Sequence, residues 1–113
     1  MDASAALTEL LATSTEVVEA VVTGPAGDVE AARVRSGERA AALAGTGAEL
    51  LSAAAALRMG EPVEHVRVDL ERGSVVALTD GARRIVATTV ARPTGALVAH
   101  DLRAALARAR GSR

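Results

Sequence analysis

The chain has 113 residues, 50% of them hydrophobic and 24% charged, with a net charge of −1 and no cysteine or aromatic residue. Its length implies one domain, 1–113; the missing cysteines exclude disulfides, thiol catalysis and Cys-based zinc sites, and the near-neutral charge without aromatic platforms argues against nucleic acid. The core must therefore come from Val, Leu, Ile and Ala, and at about 0.8 kcal/mol per buried methylene it is thin enough to gain from further burial in an oligomer.

Residues 3–14 place Ala3, Leu7, Leu10 and Leu11 at helical spacing, with Asp2 as N-cap. "VVEAVVTG" (17–24) is β-branched and apolar, "PAGD" is a turn, and "DVEAARVR" (28–35) is a more polar strand, so a hairpin is expected. A long helix follows, with Ser36 placed to cap it and Gly60 to end it. In "VEHVRVDL" (63–70), Glu64, Val66, Val68 and Leu70 share one face and His65, Arg67 and Asp69 the other. "ERGS" turns the chain into "VVALT", and Asp80-Gly81 is a hairpin signal. "RRIVATTVAR" reads as the longest strand, stopped by Pro93. Thr94 precedes a closing helix whose apolar stripe is Val98, Leu102, Ala105, Leu106 and Ala109. Residues 1–3 and 110–113 are expected to fray.

The order is α-β-β-α-β-β-β-α. The second strand carries Glu30, Arg33 and Arg35, and the third carries His65, Arg67 and Asp69. Charged strands suit sheet edges, where they discourage indiscriminate pairing. The expected fold is α+β, a five-stranded antiparallel sheet in order 2-1-5-4-3. The long helix lies on one face and the other two helices on the opposite face.

The stretch "ERAAALAGTGAELLSAAAAL" (38–57) poses a problem, because its apolar arc covers nearly half the helix circumference. One contact surface needs only about 100°. Gly45 and Gly47 each cost about 1 kcal/mol relative to Ala in a helix. One reading is that the helix is buried by its own fold and the alanines reflect composition. The other is that it packs on its own sheet and on a second copy, the small residues admitting a close approach. A twofold axis beside the third strand would then make an interface of Ala40, Leu43, Gly47, Leu50 and Ala54 with Val66 and Val68.

The helix above, the strands "VEHVRVDLERGSVVALTDGARRIVATTV" and the closing "PTGALVAHDLRAAL" together resemble the roadblock/LC7 family, from Leu7 to Leu106. At the last junction the family often has an Asn-Leu-Gly-like step, whereas this chain reads Thr94-Gly95-Ala96-Leu97. The resemblance implies a roadblock/profilin-like fold and a non-catalytic adaptor that dimerises through the long helix and third strand. It also implies a bacterial, Ras-like small GTPase as partner. The strip Glu38, Arg39, Ala42, Thr46, Glu49 and Ala53 is the expected GTPase-binding face, being sparsely charged and rich in small residues.

No enzyme chemistry is expected. His65 and His100 have no clustered third ligand, and His100-Asp101 point in different directions on a helix, so neither metal nor cofactor is expected. "GPAGD" and "LAGTGAEL" match neither a P-loop nor a dinucleotide fingerprint. Arg83-Arg84 fall on opposite faces of a strand and do not read as an arginine finger. The N-terminus lacks a basic n-region, and no apolar run is read as reaching the roughly 20 residues of a membrane span, so a cytoplasmic protein without membrane insertion is expected. A nucleotide-independent tethering adaptor and, more remotely, a small-ligand sensor stay open as alternatives.

Overall fold

The computed structural model describes residues 1–110, so 111–113 of the expected frayed tail 110–113 lie outside the described residues, while Arg110 ends the last helix. The elements run α1 (Ala3–Thr13), β1 (Val17–Thr23), β2 (Val29–Arg33), α2 (Gly37–Leu57), β3 (His65–Leu70), β4 (Gly73–Thr79), β5 (Arg84–Thr89) and α3 (Gly95–Arg110). The sheet order is β2-β1-β5-β4-β3, every neighbouring pair antiparallel. This is the expected topology, and its cause is visible in the strands. β1, β4 and β5 are apolar toward both faces and are central, whereas the charged β2 and β3 take the edges.

Strand alternation divides the core in two. Ala20, Val22, Val76, Leu78, Ile85 and Ala87 point to one face, where Leu7 and Leu10 of α1 and Leu102 and Leu106 of α3 meet them. Val21, Ala77 and Val86 point to the other, against Leu43 and Leu51 of α2. Leu7, Leu102 and Ile85 are fully buried, each contributing about 1.5–3 kcal/mol relative to exposure. The α2 layer is the poorer of the two, with only Leu43, Gly47 and Leu51 of its helix buried.

Local signals act largely as their chemistry suggests. Asp2 Oδ1 accepts from the Ala5 N–H at 2.8 Å and caps α1. Gly81 takes a left-handed φ of 97°, while Asp80 Oδ1 accepts from the Ala82 and Arg83 N–H groups to close the β4–β5 turn. Gly60, at φ 84°, donates its N–H to the Ala55 carbonyl and satisfies the end of α2.

Three details differ from expectation. Ser36 occupies the N-cap position of α2, but its hydroxyl makes no capping bond. The turn after β3 holds only Glu71 and Arg72, because Gly73 already pairs with Leu70. Any Cβ on Gly73 would overlap the Thr89 carbonyl, so glycine lets β4 start close beside β5. β5 spans six residues and is shorter than the seven-residue β1 and β4. Beyond Thr89 the Val90 N–H turns to the Glu16 carbonyl, and Arg92 adopts a left-handed φ of 54°. Glu16 also accepts from the Thr94 N–H, which ties the start of α3 to the start of β1.

Candidate docking surface

α2 is an apolar helix that the fold covers only in part. By length and composition Gly37–Leu57 could cross a membrane, which corrects the sequence reading that no run is long enough. Its charges are confined to Glu38, Arg39 and Glu49. The fold gives it a different role, since Leu43, Gly47 and Leu51 pack on the sheet. Only 22% of its most apolar stretch is buried; Ala40 and Ala44 also pack partly against the sheet, and the rest of the arc is half-buried or exposed.

The residues expected at a dimer interface do not all share that outward arc. Leu43 and Gly47 are buried within the protomer. A Cβ on Gly47 would collide with the Val86 side chain, so this glycine admits the chain's own sheet. That corrects their assignment to an intermolecular seam. Ala40 and Val66 are half-buried and also pack against the protomer's own α2–sheet core, whereas Leu50 and Ala54 are half-buried on the flank of the helix and Val68 is half-buried on the open edge strand β3. Glu38, Arg39, Ala42, Thr46, Glu49 and Ala53 are all exposed.

Arg39 is not a free member of that strip. Its Nε donates to Glu19 Oε2 at 2.6 Å, and its terminal nitrogen donates to Glu19 Oε1. Glu19 is 3% exposed, on the α2 face of β1. It also accepts from the Arg35 backbone N–H at 3.2 Å and the Thr88 hydroxyl at 3.2 Å. The hydrogen bonds from Arg39 hold its carboxyl down at about 2 against the opposing cost of burial, with smaller help from Arg35 and Thr88. Sequence reading placed Glu19 in an apolar strand and missed this contact. A bulge between Val17 and Glu19 turns Val18 outward and aims the acid at the first turn of α2.

The other singled-out residues are dispersed. Arg83 pairs with Glu30 at 2.9 Å and donates to the Ala109 carbonyl, so it is engaged inside the fold. His65 lies near Arg67 and Arg103; partial burial, then those two charges, lower its pKa. His100 is exposed on α3. Among the described residues no three His, Asp or Glu side chains converge as metal ligands would.

Comparison with known proteins agrees with the architecture. A roadblock/LC7 domain from Streptomyces avermitilis superposes with a TM-score of 0.83 at 17% identity, covering 97% of this chain and 96% of that one. The gliding protein MglB from Thermus thermophilus gives a TM-score of 0.67 at 24% identity, covering 96% and 86%. A structure described as MglB with tetrameric arrangement gives 0.68 at 24%, covering 96% and 85%. No protein-family model and no curated protein matches the sequence. Identities this low establish the fold: the chain has the roadblock/LC7 architecture that its helices and strands resemble.

Proposed function

From the roadblock/LC7 fold, we propose that this chain is a non-catalytic, dimeric regulator or adaptor of a bacterial Ras-like small GTPase, acting in the cytoplasm. The observation that carries the reading is the long helix with most of its apolar arc uncovered, beside an open strand edge. Uncovered apolar surface of this kind marks protein contacts. The half-buried flank of α2, with Ala40, Leu50 and Ala54, adjoins the partner copy together with Val66 and Val68 of β3. The strip Glu38, Ala42, Thr46, Glu49 and Ala53 meets the GTPase. Arg39 holds the helix start to Glu19 and contributes what remains of its exposed edge.

No side chain on this surface is placed as a finger for hydrolysis. Any stimulation then comes from positioning groups of the GTPase itself. The MglB likeness, including a tetrameric arrangement, supports an assembling gliding-type regulator.

Two measurements test the reading. Light scattering at tens of micromolar should show a wild-type dimer, and Leu50→Glu with Val68→Lys should give a monomer with unchanged circular dichroism. A monomeric wild type ends the dimer proposal. Ala42→Glu with Glu49→Lys leaves Arg39 intact and should weaken calorimetric binding of the cognate GTPase by tenfold or more, about 1.4 kcal/mol. Unchanged binding places the GTPase elsewhere. If the wild type binds no GTPase in either nucleotide state, the tethering adaptor replaces the regulator.

A further inference from the structure

An open depression of about 420 Å³ lies beside the start of α2, between the ends of β1, β4 and β5. Its volume falls within the range of ligand-binding sites. Arg35, Arg39 and Arg72 line it, and Glu19 is the only acidic residue lining it among the described residues. Glu19 is already engaged with Arg39, Thr88 and the Arg35 N–H. The Arg35 and Arg72 guanidinium groups have no carboxylate partner among the described residues. Two positive charges are thus in excess here, in a chain whose net charge is −1.

The same depression is unusually apolar for a solvated site. Val18, Leu70 and Val90 line it at 42%, 61% and 40% exposure, three of the eight large hydrophobic side chains left exposed among the described residues. Excess positive charge disfavours a cation, and no aromatic side chain is present to stack a base. The depression is open to solvent, so a segment of a partner chain can enter it. Guanidinium groups pair with carboxylates in a bidentate fork.

We propose that this groove recognises an acidic segment of a partner protein, carboxylates on Arg35 and Arg72 flanking an aliphatic side chain seated among Val18, Leu70 and Val90. The inference rests on reading the chain as a docking adaptor, without requiring that the partner be a GTPase. It makes the groove a second recognition element beside the α2 strip, with Arg39 shared between them. Exposed ion pairs are individually weak and screened by salt, so the segment supplies selectivity and encounter rate more than affinity.

The test uses the full chain and a fluorescein-labelled Glu-Glu-Leu-Glu-Glu peptide, followed by fluorescence polarisation at low ionic strength. Saturable binding is expected, with amide NMR shifts centred on Val18, Gly73, Val75 and Val90. Arg35→Ser and Arg72→Ser should each weaken it about fivefold, and the double variant more than tenfold. Both arginines lack ion pairs, so the variants should keep the wild-type melting curve. Replacing the peptide Leu by Ser should weaken binding, and a Lys-Lys-Leu-Lys-Lys peptide should not bind. Absence of saturable binding, or binding indifferent to both arginine changes, overturns the proposal. Sodium decanoate or inorganic phosphate shifting the same amides while the peptide does not would make this a small-ligand site instead. A changed sedimentation coefficient for Arg72→Ser would assign the groove to contact between copies. GTPase calorimetry is measured separately, so failure of the peptide leaves the α2 strip independently testable.

Discussion

Gly47→Leu should destabilise the protomer itself, before any association is considered. Gly47 sits in the buried line of α2, and even a single Cβ there meets the methyl groups of Val86. Val86 is fully buried in central strand β5, flanked by β1 and β4, so it cannot withdraw. A leucine must lift α2 away from the sheet, and overpacking of this kind costs about 1–3 kcal/mol. Urea denaturation followed at 222 nm should show a lower midpoint. Gly45→Ala is the internal control in the same helix. Its Cβ enters open space at an exposed position, and it should stabilise by about 0.4–1 kcal/mol through helix propensity and a less free unfolded chain. Opposite signs two residues apart would verify the rotation of α2 on the sheet. An unchanged Gly47→Leu midpoint would mean that the helix docks with another face.

The contrast between these glycines also marks how far the sequence can be read. Topology was legible because it depends on pattern: β1, β4 and β5 are apolar on both sides, β3 carries polar residues at alternate positions, and β2 carries Glu30 and Arg33. The rotation of α2 was not legible. Its alanine arcs are nearly equivalent, so the helical wheel shows a broad apolar arc without saying which part meets the sheet. The fit of Gly47 to Val86, distant in sequence, decides that. The length of β5 was overread for a similar reason. "TTVAR" continues its β-branched run, and the Val90 N–H still donates to the Glu16 carbonyl next to the Val17–Thr89 pair, but Arg92 then takes a left-handed φ of 54° and the strand ends.

Of the α2 surface, the exposed strip was legible from its polar residues, since Glu38, Thr46 and Glu49 all remain in solvent. Leu43 and Gly47, expected at a seam between copies, are buried against the sheet of their own protomer, and Glu19 lies outside the expected site. A lone acid in "VVEAVV" reads as one more alternating residue. Its partners come from Arg39 and Thr88, so local periodicity contains no trace of them. The one available cue was a glutamate inside an otherwise buried strand, which burial physics requires to be paired.

That pairing leads to the second large effect, a stability lost in acid. Glu19 has its pKa lowered from 4.5 to about 2 in the folded chain. In that window the unfolded chain binds the proton more readily than the folded one, so falling pH favours unfolding. The contribution is fully present above about 4.5 and disappears as pH falls through about 2. Glu19→Gln keeps the size of the side chain but removes the charge that Arg39, the Arg35 N–H and Thr88 serve. At pH 7 it should lower stability by about 1.5–3 kcal/mol, the range for hydrogen bonds to a charged group. The deficit should shrink steadily below about pH 4.5 and become small near pH 2, where wild-type Glu19 is about half protonated. Asp69 also has its pKa lowered, first by the Ser74 hydroxyl and then by Arg67, so total stability falls in acid for both proteins. The difference between wild type and Glu19→Gln isolates Glu19. Urea midpoints at pH 7, 4.5, 3 and 2 measure it. A deficit that stays constant across this range would show that the glutamine harms packing alone, and that the Glu19–Arg39 pair does not hold α2 to β1 through its charge.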